Sequence, residues 1–156
     1  MLCRSCVLFF AALREVFLSL AFTLIDNPSP ADTAFLGEKI YEYNVARTQI
    51  KDGGLLAMFV RDEAGEIIAG LDGWTWGGCL YIEHLWVHES LRGQNFGTNL
   101  LKAAEAEGAA RGCRQSMLTT HDFQAPAFYE RFGYEIVGQF DEYPAGHQQY
   151  FMRKPL

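Results

Sequence analysis

Apolar positions along this chain repeat in two rhythms, and the switches between them divide it into elements. Val7 to Phe22 is apolar apart from Arg14, Glu15 and Ser19. That charge pair cuts the run short of the ~20 residues a membrane span needs. Residues 1–20 therefore read as an appended helix that packs on the domain or on a second subunit, as in a homodimer. Arg4 ahead of an apolar stretch has the outline of a signal peptide, but no small-residue cleavage site follows cleanly. Phe22-Thr23-Leu24-Ile25 reads as a short strand, and Asp26-Asn27-Pro28-Ser29-Pro30 closes it and opens a helix. There Phe35, Leu36, Ile40 and Tyr43 keep helical spacing to about Asn44 or Ala46, before Lys51-Asp52-Gly53-Gly54 breaks the chain.

The rhythm then changes to that of strands. Leu55 to Val60 and Ile67 to Leu71 face each other across Arg61-Asp62-Glu63-Ala64-Gly65-Glu66, a hairpin composition. Gly73–Trp76 and Cys79–Val87 form a further pair across Gly77-Gly78. A helix follows in which Phe96, Leu100, Leu101 and Ala104 share a face, and Gly108 to Gly112 should end it. Ser116 to Thr120 is a strand and Gln124 to Phe132 a helix stopped by Gly133. Tyr134–Phe140 and Gln149–Arg153 are the last strands, turning at Pro144-Ala145-Gly146. This order predicts a mixed α/β domain over residues 21–156, a mostly antiparallel central sheet flanked by helices, without repeats or linkers.

Charge and cysteines narrow the function. Thirteen basic against nineteen acidic residues leave a net charge of -6, the wrong sign for tracking a phosphate backbone, so nucleic acid is excluded as a partner. An acidic surface suits a cationic small molecule, although a modest negative charge commonly serves only solubility. Cys3 and Cys6 are spaced Cys-x-x-Cys without a second pair, and His84, His88, His121 and His147 lack ligand spacing, so no metal is expected. Reduced thiols place the chain in the cytoplasm. His147 is a candidate for a substrate rim, and Trp74 and Trp76 offer ring faces to a cation, though such residues are more often packed.

The densest chemistry lies from Leu85 to Thr98. A strand passes through a short loop into a helix, with Arg92-Gly93-Gln94-Asn95-Phe96-Gly97 at the crossing. Main-chain N–H groups at a helix start, with the partial positive charge of the helix dipole, hold an anion such as a pyrophosphate without a lysine. Gly93 and Gly97 allow the backbone to approach closely. Neither the Walker pattern nor a Gly-x-Gly-x-x-Gly fingerprint is present.

This loop resembles the acetyl-CoA loop of the GNAT N-acetyltransferase superfamily, Arg/Gln-x-x-Gly-x-Gly/Ala, with Asn95 in place of the central glycine. Asparagine is among the least costly non-glycine residues at positive φ. Residues 79–140 are similar to the core of small-amine acetyltransferases such as the spermidine/spermine enzymes. The resemblance implies the acyl-CoA N-acyltransferase fold, with acetyl-CoA as cosubstrate and a small-molecule amine as acceptor. It assigns acetyl-CoA binding to Leu85, Trp86, Val87, Arg92, Gly93, Gln94, Asn95, Phe96, Gly97 and Thr98. In the family, a glutamate at the position of Glu83 meets the amine. Alternation places Glu83 on one strand face with Tyr81, Leu85 and Val87, opposite His84 and His88. Ala125-x-x-x-Tyr129-x-x-x-Gly133-Tyr134 parallels the family helix whose tyrosine hydroxyl lies near the CoA sulfur, so Tyr129 is the expected acid for the departing thiolate. The implied function is transfer of an acetyl group to a primary amine of a small cationic acceptor. The alternatives are a non-catalytic CoA-binding module and a protein or peptide acetyltransferase.

Overall fold

A computed structural model describes residues 22–156. The helix expected over residues 1–20, with its proposed second-subunit contact, lies outside them, as do Cys3 and Cys6. The chain divides into two units after Tyr43.

In the first unit, residues 22–25 are coil and not the expected strand. Four residues ahead of two prolines find no pairing partner among the described residues, and each proline removes a backbone donor. Helix α1 spans Pro30–Thr48 and runs across the division. Its start is specified locally. Ser29 Oγ accepts from the Asp32 N–H at 3.1 Å and donates to the Asp32 carboxylate at 2.7 Å, with Pro30 in the first turn. Phe35, Leu36, Ile40 and Tyr43 are all exposed.

The second unit is a six-stranded sheet carrying two helices. In chain order it comprises β1 (Gly54–Arg61), β2 (Ile67–Trp76), β3 (Cys79–Val87), a 3-10 turn (Glu89–Leu91), α2 (Phe96–Ala110), β4 (Gln115–His121), α3 (Pro126–Glu130), β5 (Glu135–Asp141) and β6 (Gln148–Pro155). The strand order is β1-β2-β3-β4-β6-β5. β3 and β4 pair parallel, and the other pairings are antiparallel. Ile67 to Trp76 is one strand, where the pattern suggested two short ones, because Asp72 and Gly73 stay paired with β3. Gly77 and Gly78, both at positive φ, make the two-residue turn into β3.

Helix α2 lays Leu100, Leu101, Ala104 and Gly108 on β2 and β3. The helix ends at Ala110, inside the expected stretch from Gly108 to Gly112, and Gly108 belongs to its last turn. It sits in a tight spot where a Cβ would come within 3.1 Å of Leu80. The stop is at Gly112, at φ 85°, where the Cys113 N–H reaches the Gly108 carbonyl and the Gly112 N–H that of Ala109, both at 2.9 Å. The core is Leu56, Leu71, Leu80, Ile82, Leu101, Leu118 and Met152 with their neighbours. Cys79 and Cys113 are free thiols that burial pushes above the ordinary thiol range.

Candidate active site

The sheet contains a fork. β3 and β4 pair from Cys79↔Gln115 to Ile82↔Leu118 and no further, although β3 continues to Val87 and β4 to His121. Their outer partners stay in place: β2 follows β3 as far as Val87, and β6 follows β4 to His121. Among the described residues, the two inner edges beyond the fork therefore have no strand between them.

At the vertex the chain bulges. Asp72 pairs with His84 and Gly73 with Ile82, so Glu83 is the extra residue. Gly73 makes this possible, since a Cβ there would overlap the carbonyl oxygen of Tyr81. The bulge also shifts the alternation by one residue. Leu80 and Ile82 are buried, Glu83 and His84 are both exposed, and Leu85 and Val87 return to the core face. The single-face reading of Tyr81, Glu83, Leu85 and Val87 thus fails at the bulge, and His84 joins Glu83. His84 Nδ1 lies 2.9 Å from Asp72 Oδ1, and ligand-type atoms of Asp72, Glu83 and His84 lie within 4.8 Å of one another.

Beyond the bulge the main chain is aimed into the fork. The His88 N–H bonds to the Ile68 carbonyl at 2.9 Å, which fixes the phase of the ladder. His88 and Trp86 turn their backbone groups to β2, and Leu85 and Val87 turn theirs to the open side. The Val87 carbonyl accepts from Arg92 Nε at 3.2 Å. Of the three strand residues assigned to acetyl-CoA, then, Leu85 and Val87 turn their main-chain edges to the fork, where Arg92 already occupies the Val87 carbonyl. Trp86 does not, and its half-exposed ring meets His88 edge-on.

The loop leads from the fork to a helix start. His88 Nδ1 caps the 3-10 turn near Ser90 N and Oγ, and Gln94 Nε2 donates to the Ser90 carbonyl at 2.8 Å. Gly93 has φ 77°, with open space where a Cβ would stand. Asn95 takes the left-handed conformation at φ 67°, and its side chain makes no capping bond. The Asn99 N–H returns to the Asn95 carbonyl at 2.9 Å, so the N–H groups of Phe96, Gly97 and Thr98 have no carbonyl a turn behind them. The position that a Cβ would take on Gly97 faces the protein. A Cβ there would meet Phe128 and Val87 at 3.7 Å, ordinary contact distance. Free helix-start donors and an open strand edge joined by one loop form the donor set that a pyrophosphate and an amide-bearing arm require.

Tyr129 is buried in α3 among Phe128 and Tyr134. Burial raises its phenol above the ordinary range, so it stays protonated and able to donate. Gly133, at φ 85°, ends the helix, with the Tyr134 N–H returning to Tyr129 and the Gly133 N–H to Glu130. His147 pairs with Asp122 at 3.1 Å beside Phe123. Trp74 stacks on Tyr81 at 4.4 Å, and Trp76 Nε1 bonds the Ile50 carbonyl. The shallow groove lined by Phe140, Asp141, Tyr143 and Gln149 contains none of the expected site residues.

Comparison with known proteins gives the family. Residues 22–134 match the family model described as Acetyltransferase (GNAT) family. The chain is 38% identical over 104 residues to blasticidin-S acetyltransferase of Streptomyces morookaense, covering 64% of this chain and 74% of that protein. It is 30% identical over 133 residues to an acetyltransferase of Agrobacterium fabrum, covering 85% and 97%. The crystal structure of an acetyltransferase from Bacillus cereus superposes with a TM-score of 0.70 at 32% identity, covering 86% of this chain and 98% of that one. No helix among the described residues is long and apolar enough to cross a membrane. With the fork, the bulge and the loop in place, the chain belongs to the GNAT family and is an acetyl-CoA-dependent acetyltransferase.

Proposed function

We propose that this chain acetylates a primary amine on a small cationic molecule, and that the reaction takes place at the β3–β4 fork. The observation that carries this reading is the parting of β3 and β4 just past Ile82↔Leu118, with the Glu83 carboxylate at the vertex and the α2 start beyond. Acetyl-CoA, when bound, supplies an activated thioester. The N–H groups of residues 96–98 would hold its pyrophosphate, and the edges of Leu85 and Val87 its amide-bearing arm. An N–H of Leu85 or Val87 would polarise the thioester carbonyl in the manner of an oxyanion hole.

An alkylammonium has a pKa near ~10 and is not nucleophilic until it loses a proton. Glu83 draws the ammonium to the vertex and takes that proton, directly or through a water. Tyr129, kept protonated by burial, donates to the departing thiolate. The acidic chain favours a cationic acceptor over an anionic one. The similarity to blasticidin-S acetyltransferase, whose name records a small-molecule acceptor, supports the same class here.

Thiol release from acetyl-CoA, measured against spermidine, blasticidin S, an aminoglycoside, free amino acids and a lysine peptide, tests the reading. A small cationic amine should raise thiol release well above the rate without acceptor. Acceleration by the lysine peptide alone would assign the chain to protein acetylation.

A further inference from the structure

The bulge does more than expose Glu83. It turns His84, which regular alternation would send to the other face, onto the same side as Glu83 and directly across from Asp72. An ionised aspartate can only accept a hydrogen bond, so the 2.9 Å contact requires the proton on Nδ1. That leaves the lone pair of the neutral imidazole on Nε2. The ring is 72% exposed, so Nε2 is open to a molecule at the vertex.

We propose that the Asp72–His84 dyad is the final proton acceptor of the acetyl-transfer site, a catalytic role for His84 and a positioning role for Asp72. The proposal rests on the reading of the fork as the amine site and extends one step of it. Glu83 meets the ammonium, and the proton released there ends on Nε2 of His84. One N–H bond of the ammonium breaks, its electron pair stays on nitrogen as the nucleophile, and an Nε2–H bond forms. The imidazolium later returns the proton to water.

The relative strength of the bases argues for this order. A carboxylate is ordinarily a weaker base than an imidazole by about two orders of magnitude, and a catalytic base works best when its pKa lies near the working pH. A lone carboxylate therefore takes a proton from an ammonium less readily than an imidazole does. The titratable groups set against this imidazole are Asp72 from β2 and Glu83 from its own strand, two carboxyl groups and no basic residue in the cluster. His147 also has an aspartate on Nδ1, but among the described residues it belongs to no three-residue cluster of this kind.

Two measurements on the full chain test the dyad. Nitrogen-15 NMR of the imidazole should show His84 as the Nδ1–H tautomer, reverting to the commoner Nε2–H form in Asp72→Asn. An Nε2–H tautomer in the parent protein would overturn the proposal without any acceptor being needed. With the fastest amine of the panel, His84→Gln should lose about 10²-fold in rate at pH ~7, the loss should shrink toward pH ~10, and added imidazole should restore part of the rate. A parental rate and profile for His84→Gln, with Glu83→Gln still impaired, would sink the dyad alone. Parental behaviour of both variants would sink the amine site as well. A uniform loss with no pH pattern and no rescue would make His84 structural and also refute the proposal. Chelation should leave the rate unchanged; inhibition by EDTA would mean that these three residues hold a cation instead.

Discussion

Glu83 and Tyr129 occupy opposite chemical environments. Glu83 is exposed at a bulge, whereas Tyr129 is buried and held protonated by that burial. Their variants should therefore differ in kind. Glu83→Gln should slow turnover by about 10²-fold near neutral pH and recover as rising pH supplies free amine. Tyr129→Phe keeps the ring and the packing, so turnover should fall with acetyl-CoA binding unchanged. Rate profiles over pH ~6–10 with thermal melts alongside check both. Asn95 is the other residue where sequence and structure speak together. Its left-handed φ is what substitution of a loop glycine by asparagine predicts, and its side chain caps nothing. Asn95→Gly should hold acetyl-CoA at least as well and stay within ~1 kcal/mol of parental stability. A tenfold loss of affinity by calorimetry would show that the side chain touches the ligand.

At the scale of elements, the hairpins, the two helices on the sheet and the strand-loop-helix crossing were legible because each has a local cause: paired turn glycines, a 3.6-residue apolar period, a glycine stop. The fork and the bulge were not legible. Both are relations between strands, and period-2 reasoning carried straight through Glu83, which is why His84 was placed on the wrong face. Gly73 was the available signal, a glycine inside a strand with nothing local to explain it. Gly108 has a second reason beside the helix end that the sequence did not show, its close packing against Leu80. Gly73→Ala gives the bulge a direct test. Its Cβ has no room against Tyr81, and the ladder must shift, at a cost of about 1–3 kcal/mol or more in denaturant unfolding. Activity should fall further than stability alone accounts for. A neutral Gly73→Ala would mean that the bulge is not held by close approach.

Across the whole molecule, a polar network ties α2 to the far half of the sheet. The Tyr134 hydroxyl donates to Ser116 Oγ at 2.7 Å, and Lys154 bonds Glu105 at 2.7 Å beneath the same ring. Burial raises the Tyr134 phenol well above its ordinary range, and Tyr129 moves the same way. In the window above the unfolded value the folded state then binds more protons than the unfolded one, so stability falls as pH rises past ~10. Denaturation midpoints should drop through that range. In Tyr134→Phe the drop should be shallower, with about 1–2 kcal/mol lost at neutral pH because buried Ser116 is left without its partner. Equal slopes in the two proteins would contradict the linkage.

The central claim is that the fork and the helix start together receive acetyl-CoA. Residue-resolved hydrogen exchange with and without acetyl-CoA tests it most directly, because backbone phase makes the pattern specific. The N–H groups of Leu85, Val87, Phe96, Gly97 and Thr98 should slow on binding, while that of Trp86, already turned to β2, should change little. Protection spread evenly over 85–87, or confined to residues outside the fork and the loop, would contradict the account.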